Sequence, residues 1–195
     1  MGSEMCIRDR DRWGDHAVIC GKGGDRTSRH DQIGRLIGAA LATSGHPPTY
    51  EDPLIVPTLS RPADVSTPAW LDGRPAAFDV CVSSPVAASH LAQAAHVAGH
   101  TAAEAERRKC AKSEAMCREV GVTFWPLSFE TFGTPGPRVE KLIRLVGQRQ
   151  ASRLGTPRSE TTARLRQRLS VGVARGSANM ILRRLAPFLE ADRQR

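Results

Sequence analysis

Ile33, Leu36, Ile37, Ala40 and Leu41 fall three and four apart, which predicts a helix over Ser28–Ser44 with one apolar face. Ser28 is its expected N-cap, Gly45 its expected stop, and Pro47-Pro48 forbid its return. Tyr50–Leu59 reads as short and extended, interrupted by Pro53 and Pro57. A short extended run then closes on Asp64, and a second spans Ala76–Val82. The turn signal Leu71-Asp72-Gly73-Arg74-Pro75 between them predicts a β-hairpin. Ser84 at N-cap and Pro85 at N1 predict the start of a long Ala-rich helix running from Ala87 to about Glu119. Gly99 is its weak point, where it is expected to split. Val122–Phe129 alternates and carries Phe124, Trp125 and Phe129, a core strand. Beyond Pro135–Pro137, the spacing of Val139, Leu142, Ile143 and Val146 predicts an amphipathic helix over Arg138–Leu154. Two further helices are expected over Glu160–Ala174 and Ser177–Glu190. The order is helix, three strands, long helix, strand, then basic helices, an α/β layout with a mixed sheet.

Charge divides this layout. Through Pro137 there are fourteen Lys/Arg against sixteen Asp/Glu, and from Arg138 onward fourteen against four. The last segment therefore carries +10 of a chain whose net charge is +8. A basic helical extension beside a near-neutral domain points to a polyanion partner, DNA first and RNA second, although a solvated basic helix face fits the same count. The five cysteines show no paired framework, nothing resembles a signal peptide, and no apolar run approaches the roughly 18 residues of a membrane span. A reducing compartment, nuclear or cytoplasmic, is expected, with no membrane partner.

The hairpin carries the candidate chemistry. Pairing the two runs brings Asp64 and Asp79 face to face. Two carboxylates at one point repel, and a hard divalent cation relieves that repulsion. Taken alone, the pair is more simply a turn aspartate and an edge-strand charge. Glu51 starts the preceding extended run and leans toward the same cluster, or is plain surface. Lys109 and Lys112 are three apart and share a helix face, next to Arg107 and Arg108. His16 and Cys20 are spaced like half of a zinc knuckle, with His30 a third ligand. The Cys-x-x-Cys pair that usually opens such a site is missing, so a buried Cys and a loop His fit as well. The Gly21–Gly24 stretch is no phosphate loop, because no G-K-[ST] follows. Glu4-Met5-Cys6-Ile7-Arg8-Asp9 resembles the translated end of a sequencing adapter. Residues 1–10 are therefore set aside as a leader, with the native chain expected to begin near Asp11 as a fragment.

Arg61-Pro62-Ala63-Asp64-Val65, Phe78-Asp79-Val80-Cys81-Val82 and a downstream helix bearing Lys109 together resemble the PD-(D/E)XK nuclease fold of restriction endonucleases. With Gly14-Asp15-His16-Ala17, Cys20 and Arg29-His30, the chain is most similar to the restriction-like endonuclease domain that follows the reverse transcriptase of some non-LTR retrotransposons. The resemblance implies a truncated zinc-knuckle segment over 11–30, a nuclease-like domain over 31–134 and a basic helical tail over 135–195. It also implies a reverse transcriptase region upstream. The implied activity is Mg²⁺-dependent DNA nicking, with Asp64, Asp79 and the backbone carbonyl of Val80 holding Mg²⁺. Lys109, or Lys112 as its alternate, would act on the water and the transition state, and Glu130 is a second-tier member. Arg61, Arg107, Arg108, Arg164, Arg166 and Arg168 would bind the nucleic-acid backbone, and His16, Cys20 and His30 would form a partial Zn²⁺ site. One departure is that Cys81 stands where the acid-x-Lys signature has Lys. The alternative is a catalytically inactive nucleic-acid-binding remnant of the same origin.

Overall fold

The computed structural model describes residues 15–20, 24–53 and 63–193. Among these, six helices and four strands follow in the order α1 (Asp15–Ile19), α2 (Asp25–Thr43), β1 (Thr49–Tyr50), β2 (Val65–Thr67), β3 (Ala76–Ser83), α3 (Leu91–Ala94), α4 (His100–Glu119), β4 (Thr123–Glu130), α5 (Pro137–Leu154) and α6 (Arg158–Arg193). The four strands form one mixed sheet in the order β1-β2-β3-β4. β1–β2 and β2–β3 are antiparallel, while β3–β4 is parallel and is joined through α4. The fold class is α/β, and no helix among the described residues is long and apolar enough to cross a membrane.

The period-two alternation of β3 and β4 gives the sheet two different faces. Phe78 and Val80 on β3, with Trp125, Leu127 and Phe129 on β4, face one side. There they pack with Ile33, Ile37 and Leu41 of α2, Val139, Ile143 and Val146 of α5, and Leu165, Leu169 and Val173 of α6. Ala77 and Phe124 face the other side, where they meet Cys117 at the far end of α4. This second face is thinly apolar. The residues that follow Ala77 and Phe124 on it are Asp79 and Cys81 on β3 and, after Pro126, Ser128 and Glu130 on β4, which is why the polar chemistry collects under α4.

Several boundaries differ from the sequence pattern for identifiable reasons. α2 starts at Asp25 behind Gly24, whose φ of 72° lets the chain turn into the helix, so Ser28 lies inside the first turns and caps nothing. β2 begins after Asp64 rather than ending on it. Ser84-Pro85 does not open a long helix. The chain runs through turns and the four-residue α3, and α4 starts behind Gly99 at φ 78°. α6 is one helix of 36 residues, where a break had been expected between Ala174 and Ser177. Gly172 and Gly176 lie within it because α2 presses close: a Cβ on Gly176 would sit 2.6 Å from Arg29 Cγ. The basic segment read as a tail thus supplies one wall of the core through α5 and α6, and from Arg144 to Arg183 its arginines are exposed.

Candidate active site

Asp64 lies one residue before β2, where the strand's backbone has just left the ladder. Its N–H donates to Phe78 O at 3.1 Å, and its side chain adds the next rung by accepting the Val80 N–H at Oδ2, 2.6 Å. Val80 was expected to contribute its carbonyl, and the bond found is made by its amide. Amide and carbonyl of one strand residue point to the same side, so the Val80 carbonyl also turns toward the Asp64 side. Glu51 joins Asp64 through the backbone, its N–H donating to Asp64 O at 3.1 Å. It holds φ 48°, a left-handed conformation uncommon for a residue with a Cβ. Its side chain is exposed.

Asp79 is central on β3, beneath α4. Lys109 Nζ lies 2.8 Å from Oδ1 and 2.7 Å from Oδ2 of Asp79. Ala102, Ala105, Glu106 and Lys109 recur at i, i+3, i+4 and i+7, so Lys109 occupies the inner stripe of α4. Lys112 is exposed, as are Arg107 and Arg108. Of the two lysines, Lys109 is the one that reaches Asp79. Cys81, two residues beyond Asp79 on the same face, donates its thiol to Ser128 Oγ at 3.1 Å. Burial pushes that thiol above its ordinary range, so it stays neutral and supplies no cation.

The electrostatics tie these groups together. Burial raises the Asp79 carboxyl above the usual range, Lys109 opposes the shift, and the Asp64 charge adds to it. Burial acts against the Lys109 charge, but Asp79 more than compensates and holds the ammonium above its ordinary value. The two shifts describe one situation: a carboxylate pair with more negative charge than its burial favours, offset chiefly by Lys109 and in smaller part by His30.

His30 stands elsewhere than expected. Its Nε2 is 3.0 Å from Asp64 Oδ2 and its Nδ1 is 3.3 Å from Asp31 Oδ1. The Asp64 hydrogen bond is the main reason its pKa rises to about 9, against the burial that lowers it. Of the expected zinc set, only His16 and Cys20 remain associated, one turn apart on and just beyond α1, with Cys20 N bonded to His16 O at 3.0 Å. Among the described residues no group of three or more His, Cys, Asp and Glu side chains is placed to hold a metal ion. A four-ligand structural zinc does not fit the described part of this segment. The Asp64–Asp79 pair is a different case. It offers hard oxygen donors only, and Mg²⁺ commonly takes one or two carboxylates with water and substrate phosphate making up the rest.

Glu130 is 5% exposed and takes a structural role: its Oε1 accepts the N–H (3.2 Å) and Oγ–H (2.9 Å) of Thr101 in the first turn of α4. Glu106, which the sequence did not single out, does the same for α5, accepting Arg138 N at 2.9 Å and Ser128 N at 3.4 Å. The sequence carries no local signal for it, because its inner place on α4 is set by packing against the sheet. Of the expected nucleic-acid contacts, Arg61 lies outside the described residues. Arg164 pairs with Glu160, and Arg166 holds Glu140 through two bonds of 3.0 and 2.5 Å. Arg107, Arg108 and Arg168 are exposed and have no ion pair among the described residues. Compared with family models, curated proteins and solved structures, the chain gives no match in any of the three.

Proposed function

We propose that this chain carries a Mg²⁺-dependent DNA endonuclease domain of the restriction-like PD-(D/E)XK type, from a retroelement reverse transcriptase polyprotein. The observation that carries the reading is the grip of Lys109 on both oxygens of Asp79, with Asp64 bonded to the adjacent Val80 amide. Two carboxylates on neighbouring strands and one lysine from the crossover helix are the donor set this chemistry needs. The helix–hairpin–helix–strand order, with β3 and β4 parallel, supports the same fold family.

Asp64 and Asp79 would hold the cation, the Val80 carbonyl lying on the same side. When bound, Mg²⁺ lowers the pKa of a coordinated water and offsets phosphate charge. Lys109 orients the attacking water or stabilises charge on the phosphoryl oxygens once Asp79 turns to its other partners. Its charge is permanent at neutral pH, and Cys81 cannot replace it. Arg107 and Arg108, exposed next to Lys109, suit contacts to the nucleic-acid backbone, which position it without reading sequence. The outer arginines of α5 and α6 add salt-dependent affinity for DNA, with RNA as a second polyanion.

The test is plasmid nicking with Mg²⁺ by the chain from Asp11 onward and by its Asp79→Ala variant. Nicking by the parent alone is expected, and nicking retained in the variant would sink the assignment of Asp79. One observation favours the second reading, an inactive nucleic-acid-binding remnant: both oxygens of Asp79 are already held by Lys109. Salt-sensitive DNA binding without nicking by either protein selects that reading.

A further inference from the structure

His30 stands between two carboxylates. Nδ1 faces Asp31 Oδ1 at 3.3 Å and Nε2 faces Asp64 Oδ2 at 3.0 Å. A neutral imidazole donates from one nitrogen only, so a ring in this position is satisfied on both sides when it carries both protons. The Asp64 oxygen it reaches already accepts the Val80 N–H at 2.6 Å. Oδ2 therefore has two donors, and Oδ1 has no partner among the described residues.

The ring's carrier is firmly held. Ile33, Ile37 and Leu41 anchor α2 in the core, and the preceding residue, Arg29, donates to Ser177 Oγ on α6 at 2.9 Å. A carboxylate pinned at one oxygen from a backbone amide and from a ring on a packed helix cannot rotate freely about its last bond. Its other oxygen, Oδ1, is then the one without a partner among the described residues, and the Asp64 charge is felt at Asp79.

We infer that His30 is a positioning residue for the proposed metal site: through Nε2 it fixes the Asp64 carboxylate so that Oδ1 is the oxygen offered to a divalent cation, with Asp31 fixing the ring in turn. The inference rests on the nuclease reading above and goes beyond it in giving α2 a part in the site. Outer partners of metal-holding groups act this way, and removing one typically costs 10–100-fold in metal affinity or activity.

The test uses Mn²⁺ as the probe and needs no turnover. Free Mn²⁺ is titrated by electron paramagnetic resonance in the absence of nucleic acid, for the parent, His30→Gln, His30→Asn and His30→Ala. Thermal melts without metal show which variants fold. His30→Ala is expected to weaken Mn²⁺ binding about 10–100-fold. His30→Gln, which keeps an N–H donor near the Nε2 position, recovers most of that loss. His30→Asn has the same amide on a shorter arm and behaves like alanine, so it takes alanine's place if that variant does not melt cooperatively. Unchanged or tighter Mn²⁺ binding in the Ala or Asn variant overturns the inference, as does a Gln variant no better than Ala. A parent that binds no Mn²⁺ overturns the metal reading itself, and the inference falls with it.

Discussion

Glu130 is the residue for which chemistry and architecture make opposite demands. As a member of the reactive cluster, its removal would abolish nicking and leave the fold alone. The structure gives it the N-terminus of α4 instead: one oxygen accepts both the amide and the hydroxyl of Thr101, which is 1% exposed. Glu130→Ala strands two buried donors. At about 1–3 kcal/mol for each unsatisfied group and about 0.3–1 kcal/mol for a carboxylate lost from a helix N-terminus, the variant is destabilised by about 3–5 kcal/mol. That is a large share of the ~5–15 kcal/mol typical of a domain. Glu130→Gln keeps an acceptor oxygen and gives up only the charge, a cost of about 1 kcal/mol. Urea unfolding followed by the fluorescence of Trp70 and Trp125, whose rings meet at 5.9 Å in the core, reads both numbers. Nicking is then measured under conditions where each variant is folded. A Glu130→Ala variant within about 1 kcal/mol of the parent would refute the capping argument, since stranding even one donor costs more. A well-folded Glu130→Gln protein that no longer nicks would return Glu130 to the reaction.

Gly133 sits at φ 99°, and a Cβ there would lie 2.5 Å from the backbone oxygen of Ser170 on α6. Gly133→Ala combines left-handed strain with overpacking against a backbone that cannot rotate away, and is expected to lose about 2–4 kcal/mol in the same urea assay. Lys109→Ala is expected to abolish nicking with DNA binding retained, whereas Lys112→Ala leaves both intact; equal effects of the two substitutions would contradict the geometry. The pairing of His30 with Asp64 predicts a pH dependence without divalent cation. Its pKa rises from 6.5 to about 9 on folding, so the contribution is complete below pH 6.5 and is lost as pH climbs through 9. The shift is an upper limit near 3 kcal/mol, and with the ring a third exposed, solvent screening leaves about 1–2 kcal/mol. The stability gap between parent and His30→Gln, measured from pH 6 to 9.5, should close toward the alkaline end, and a constant gap would contradict the ion pair.

The elements that periodicity could see were those whose neighbours repeat the local signal. The strand from Thr123 and the helix from Pro137 carry their turn or cap beside their apolar residues and form as expected, and the hairpin through Gly73 forms with its first arm beginning after Asp64 instead of closing on it. Boundaries failed where tertiary contact outweighed local preference. Gly172 and Gly176 look like breakers, yet they let α2 and α6 approach closely, and α6 runs through them. Ser28 and Ser84 have the chemistry of caps and no helix end to serve. In the site, Asp64 and Asp79 were visible because a hairpin juxtaposes its arms by construction. Lys109 was reached through a family resemblance and Glu106 not at all, because nothing local says which polar residue of an Ala-rich helix faces the sheet. His30 was seen as a ligand and misdirected. A histidine three residues from a helix's first apolar position carries no mark of a partner 34 residues away.

The closure of α6 over α2 also sets a clock. Arg29 waits for Ser177, and Asp25 for Arg183, 158 positions later, whose guanidinium reaches its carboxylate at 2.8 Å. At synthesis rates of about 5–20 residues per second, the second partner leaves the ribosome roughly 8–30 s after the first. Asp64, Asp79 and Lys109 all emerge within that interval, while the helix that carries His30 lacks the surface it docks on. A nascent chain of this kind would have Lys109 and Asp79 within reach of each other before α2 is docked, and a copy that stops short of α6 would lack the wall against which α2, and with it His30, is set.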